Sequence, residues 1–170
     1  FKIINTNTPE AGPTAIEIDS SNNVWFAESL VGKLGKIDGQ TKELTEYEPQ
    51  GEPLAEPFAL MIDKEENVWI AVIDRSIILE YNQTTEKFKI INTITPEAGP
   101  TAIEIDSSNN VWFAESLVGK LGKIDGQTKE LTEYEPEGEP LAEPFALMID
   151  KEENVWIAEH IGPGMAKFNP

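Results

Sequence analysis

Apolar residues along this chain come in short runs separated by polar, turn-forming clusters, and the whole pattern returns four times. In the first unit, residues 14–19 alternate apolar and polar, as a half-buried strand does. The cluster Asp19, Ser20, Ser21 and Asn22 turns the chain through side-chain-to-backbone hydrogen bonds. Residues 23–29 are almost continuously apolar, the mark of a central strand covered on both faces. Gly32 and Gly35 bracket a third strand at 33–38, and residues 44–47 alternate again as an outer strand. The second unit repeats this plan at 58–63, 67–73, 76–82 and 87–93, and the third at 101–106, 110–116, 120–125 and 130–136. The fourth supplies only three strands, at 145–150, 154–160 and 164–169, before the sequence stops at Pro170.

The second strand of every unit carries the same core, Asn-Val-Trp-(Phe/Ile)-Ala. All four tryptophans, Trp25, Trp69, Trp112 and Trp156, occupy this one position at spacings of 44, 43 and 44 residues. A period in the forties with four strands per unit predicts an all-β propeller of antiparallel four-stranded blades. The 170 residues then form one domain, with blades at 14–49, 58–93, 101–136 and 145–170. The tryptophans are expected to fill the layers between blades in preference to forming a stacking surface. The links between blades, such as 48–57, are rich in Pro and Glu, and proline has no ladder hydrogen bond to lose there.

A larger repeat encloses the blades. Residues 1–71 return as 88–158 with two changes, Asn7 to Ile94 and Gln50 to Glu137. Identity extends through surface loops, where packing does not demand it, which points to a recent or designed duplication. Residues 88–93 are the outer strand of the second blade, and residues 1–6 are the same hexapeptide with no blade before it. Phe1, Ile3 and Ile4 therefore mark a closure strand (1–7) that completes the fourth blade and removes an open sheet edge. Four wedges make half of a larger ring, and two chains exchanging their N-terminal strands give an eight-bladed homodimer.

Composition narrows the partners. Thirteen basic against 31 acidic residues leave a formal charge of −18, which repels phosphate backbones and anionic lipid heads, so neither nucleic acid nor a membrane surface is an expected partner. No run of 18 apolar residues is present. Without cysteine there is no disulfide to indicate a compartment. A start at Phe1, with no leader visible, reads as a processed, tagged or trimmed chain.

Few residues carry candidate chemistry. Glu28, Glu115 and Glu159 follow the tryptophan strand at one register, with Val72 in the second blade. Three carboxylates on one rim suit Mg²⁺ or Ca²⁺, though a solvated acidic rim is the favoured reading and no metal is expected. Glu159 and His160, followed by a Gly- and Pro-rich segment, form the one place where a base and a carboxylate adjoin. A lone surface histidine is the reading preferred there.

The repeat motif resembles that of the streptogramin B lyases, also called virginiamycin B lyases. The resemblance rests on Gly12-Pro13, Ile16, Asp19, residues 23–26, Glu28, residues 32–38 and residues 41–47, and covers essentially the whole chain. It implies a seven-bladed enzyme that opens a cyclic depsipeptide by elimination, with a histidine base and a magnesium ion. This chain departs from that pattern with four units and one histidine. The expectation is therefore a non-catalytic propeller, a scaffold or binding module, and not an enzyme. The alternative is a lyase-like enzyme acting on a cyclic depsipeptide with a divalent metal.

Overall fold

A computed structural model describes residues 1–49, 56–162 and 164–170. Residues 50–55 of the first interblade link, and Pro163 of the segment after His160, lie outside the described residues. Blade 1 is built from β1 (Pro13–Ile18), β2 (Val24–Glu28), β3 (Lys33–Ile37) and β4 (Leu44–Tyr47). Blade 2 is built from β5 (Pro57–Ile62), β6 (Asn67–Val72), β7 (Ile77–Asn82) and β8 (Lys87–Asn92), with a 3₁₀ turn at Ile73–Arg75. Blade 3 comprises β9 (Pro100–Ile105), β10 (Val111–Glu115), β11 (Lys120–Ile124) and β12 (Leu131–Tyr134). Blade 4 has three strands, β13 (Pro144–Ile149), β14 (Val155–Glu159) and β15 (Met165–Phe168). Every sheet is an antiparallel meander in chain order.

One hydrogen-bonded knot recurs in all four blades and explains the invariant tryptophan. The Asp19 carboxylate accepts from the Asn23 backbone at 2.8 Å, the Asn23 side chain at 2.8 Å and Trp25 Nε1 at 2.9 Å. Asp63, Asp106 and Asp150 do the same for Trp69, Trp112 and Trp156. The indole is thus locked in orientation by its polar tip while its body fills the layer between blades. Glycine makes room on the next strand. A Cβ at Gly35 or Gly122 would collide with the ring of Phe26 or Phe113, so strand three must be bare where strand two carries Phe.

The innermost strands β1, β5, β9 and β13 pack against one another in that order, which sets the blades in an arc. Three apolar layers lie between successive blades. The first holds Trp25, Leu34, Ile70, Leu79 and Tyr81, with Tyr47 and Phe88 at its edge. The second holds Trp69, Ile78, Ile103, Val111, Phe113 and Ile124, and the third Trp112, Leu121, Val155 and Ile157.

The arc is open at both ends, and the duplicated sequence shows it. Ile103 in β9 is 6 % exposed, whereas its counterpart Ile16 in β1 is 69 % exposed. Trp69 is fully buried, but Trp156 is 36 % exposed. Residues 1–6 form no strand in this chain, and Phe1, Ile3 and Ile4 are exposed. Among the described residues no strand pairs with the outer edge of β15.

Candidate functional site

The second strands of blades 1, 3 and 4 end beside the link that enters the blade, and the candidate polar residues lie at these separate strand ends. In blade 1 the segment around Ala11 and Gly12 folds over the end of β2, accepting from Ser29 N and Leu30 N at 3.1 Å each. Ala98 and Gly99 do the same over β10, accepting from Leu117 N and Ser116 N. This cover buries Glu28 and Glu115 completely, so the expectation of a solvated acidic rim is corrected at both positions. Their register at the end of the second strand placed them at the rim, but the overlying link is a tertiary feature that removes water.

Neither oxygen of either carboxyl has a hydrogen-bond partner. Desolvation, with the Glu46 charge adding to it, raises the Glu28 pKa to about 7 against the pull of Lys33. Burial and the neighbouring Glu133 carboxylate push Glu115 up to about 8. Glu46 and Glu133 move the other way despite their own burial, because hydrogen bonds favour their charged forms. Glu46 accepts from Thr8 N and Oγ1 and from Lys33, and Glu133 accepts from Ile94 N and from Thr95 N and Oγ1. In blades 1 and 3 burial thus favours the protonated form of one carboxyl, while hydrogen bonds favour the charged form of its neighbour.

Glu159, at the same register of blade 4, differs from both. It is partly exposed, and its Oε1 accepts from Ala142 N at 2.9 Å. The three carboxylates thus end on three separate blades in two different environments. Among the described residues no three His, Cys, Asp or Glu side chains group closely enough to hold a metal ion.

His160 stands at the mouth of the arc. Its Nδ1 lies 3.2 Å from Glu143 Oε2, and its backbone N–H donates to Glu143 O at 2.9 Å. Its ring centroid lies 5.3 Å from that of Phe145, which meets Phe58 edge-on at 5.5 Å. Phe58 and Phe145 open β5 and β13, where blades 1 and 3 carry Thr14 and Thr101. Those threonines instead donate to the Pro57 and Pro144 carbonyls of the adjacent blades. The aromatic pair escaped the sequence reading, although its signal was present: even-numbered blades alone have Phe at the head of the inner strand. Glu143 also escaped it, lying 17 residues before His160 across a link. Trp25, Trp69 and Trp112 are buried between blades, and Trp156 lies on the open end face.

No family model and no curated protein matches the sequence. Solved structures do match. A streptogramin B lyase overlays with a TM-score of 0.87 at 18 % identity, covering 96 % of this chain and 53 % of the other. A catalytically inactive histidine-to-alanine variant of virginiamycin B lyase from Staphylococcus aureus, with quinupristin, overlays with a TM-score of 0.88 at 19 % identity. It covers 97 % of this chain and 55 % of that one. The fold is shared with the streptogramin B lyases. Hydrazine synthase of Kuenenia stuttgartiensis is also similar, with a TM-score of 0.75 at 13 % identity over 98 % of this chain and 48 % of that one. The chain thus spans about half the length of these relatives. The likeness corrects the expectation of a purely non-catalytic scaffold, and with it the leaning against an enzyme. In those solved relatives the same architecture carries a lyase.

Proposed function

We propose that this chain supplies four blades of a lyase-type propeller that opens a cyclic depsipeptide by β-elimination, with His160 as the base. The observation that supports it most is the grouping of His160, Glu143, Phe145 and Phe58 at the mouth of the arc. The solved relative that is catalytically inactive lost a histidine, and His160 is the single histidine of this sequence.

The geometry suits the task. With Nδ1 held by the Glu143 carboxylate, the imidazole is oriented and its Nε2 is left to work. The same carboxylate stabilises the imidazolium that forms. In the reaction Nε2 takes the proton from a carbon next to an amide carbonyl. The released electron pair forms a Cα=Cβ double bond, and the Cβ–O bond of the ester breaks. The ester leaves as a carboxylate, so the ring opens without consuming water. Phe58 and Phe145 offer an apolar wall for the macrocycle beside the base. The resemblance implies magnesium as well, but the described residues do not provide three converging ligands, and no step here runs through a metal.

The test is turnover of quinupristin by the purified chain, followed by mass spectrometry, with and without added magnesium. Elimination yields an open product of unchanged mass, whereas hydrolysis adds a water. Loss of turnover in His160→Ala, and a reduced kcat in Glu143→Gln, support the proposal. Absence of turnover under both conditions, or turnover undiminished in His160→Ala, refutes it.

A further inference from the structure

A cleft of about 450 Å³ lies between blades 3 and 4, lined by Leu121, Tyr134, Leu141, Ile157, Ala166 and Phe168 among others. Its counterpart between blades 1 and 2 holds one more aromatic ring. There Leu34, Tyr47, Ile70, Leu79 and Tyr81 occupy the equivalent positions, and Phe88 of β8 closes the group, 4.7 Å from Tyr81. Phe1 is the duplicate of Phe88, and it projects into solvent in this chain. We infer that the cleft is the seat of residues 1–6 of a second copy, and that two copies close one eight-bladed ring by exchanging these strands.

The register follows from the repeat. Strand β8 pairs with β7 through Tyr81↔Phe88, Leu79↔Ile90 and Ile78↔Ile91. The same pairing sets Phe168 opposite Phe1, Ala166 opposite Ile3 and Met165 opposite Ile4. Phe1 then enters the cleft, and Ala166, smaller than Leu79, enlarges the space beside it. Ile4, like Ile91, faces the following blade. That blade is blade 1 of the copy that donated the strand. Its exposed Ile16 and Ile18 meet Trp156 and Met148 as Ile103 and Ile105 meet Trp69 and Met61 in the second layer. Both open faces of the arc are thus halves of an interface that the chain already builds internally.

A second copy is favoured over self-closure by curvature. The four blades overlay 53–55 % of the length of the solved lyase chains, and the two end faces of the arc stay exposed at Ile16, Ile18, Met148 and Trp156 instead of meeting each other. Residues around Thr6 to Pro13 would follow the donated strand as residues 93–100 follow β8. In blade 2, Thr93 N and Oγ1 donate to Ser76 O, and Gly99 N donates to Ser76 Oγ. One position works against closure. Lys167 stands where Glu80 pairs with Lys129, and the register puts it opposite Lys2.

The experiment reads mass and connectivity, so it fails or succeeds independently of any lyase activity. Light scattering after size exclusion should give a species of twice the 18.9 kDa chain mass. Ile16→Asp, at a position exposed in the single chain, should halve that mass with an unchanged circular dichroism spectrum. Lys167→Glu should lower the concentration at which the dimer dissociates. In the Ile3→Cys, Ala166→Cys double variant, oxidation should join two chains. A single species of 18.9 kDa at micromolar concentration, a disulfide within one chain, or a dimer untouched by Ile16→Asp would each overturn the inference.

Discussion

The buried carboxyl of Glu115 makes a prediction whose size follows from the structure. Folding raises its pKa from the ordinary 4.5 to about 8. Below pH 4.5 folded and unfolded chains both hold the proton, and the stabilisation is fully present. Between pH 4.5 and 8 the unfolded chain loses the proton first, so stability falls by about 1.4 kcal/mol per pH unit for this group. Over the whole window the loss is at most about 5 kcal/mol, a large share of a domain's net stability. Glu115→Gln removes the titration and keeps the shape, and it gains an amide N–H that can donate to the neighbouring Glu133 carboxylate. The variant should match the parent within about 1 kcal/mol near pH 5 and exceed it by several kcal/mol near pH 8.5. The assay is urea unfolding of both proteins at pH 5, 6.5 and 8.5, at one fixed protein concentration because association is linked to stability. The general effect of the −18 charge cancels in the difference. Parallel stability profiles for the two proteins, or a variant that is worse at pH 8.5, would refute the reasoning.

Stability of the parent should peak near pH 4 to 5, more acid than the usual optimum of about 5 to 8. Glu28 and Glu115 lose stabilisation as pH rises from 4.5 towards about 7 and about 8, while Asp150, whose pKa its Trp156 and Asn154 hydrogen bonds depress to about 2, loses it as pH falls below 3.8. Thermal melts from pH 3 to 9 check this, and a maximum above pH 7 would contradict it. Gly122→Ala should lower stability by about 1–3 kcal/mol through collision with the Phe113 ring. Gly164→Ala, which meets nothing within 4 Å, should be close to neutral in the same urea series.

The blades were legible in the sequence because their signals are local. Strand alternation, turn clusters and the recurring tryptophan all lie within one unit of about 44 residues. One equally local signal was read only as a turn and a motif position: the Asp six residues before every Trp, which is the hydrogen-bonded knot of each blade. The site was less legible because its members meet across links. Glu143 reaches His160 over 17 residues, and Phe58 meets Phe145 from a different blade. The burial of Glu28 and Glu115 was hidden for a related reason. A carboxylate at a strand end reads as solvated until the segment that folds over it is known.

The duplication separates what a sequence determines from what its surroundings determine. Pro-Thr-Ala-Ile-Glu-Ile occurs twice and forms a strand both times, as β1 and as β9. Yet β9 is buried along most of its length and β1 is largely exposed, because only β9 has a blade on either side. Secondary structure is thus written into the repeat, while burial belongs to the neighbours. The same holds for Phe88, packed on Tyr81, and Phe1, packed on nothing in the single chain. Apart from the two substitutions, the two halves diverge only beyond residue 71, where residues 72–81 stand against 159–168. In the first half that segment carries Val72 and a 3₁₀ turn. In the second it carries Glu159 and His160. The proposed base and the proposed strand exchange therefore both draw on the stretch where the repeat breaks.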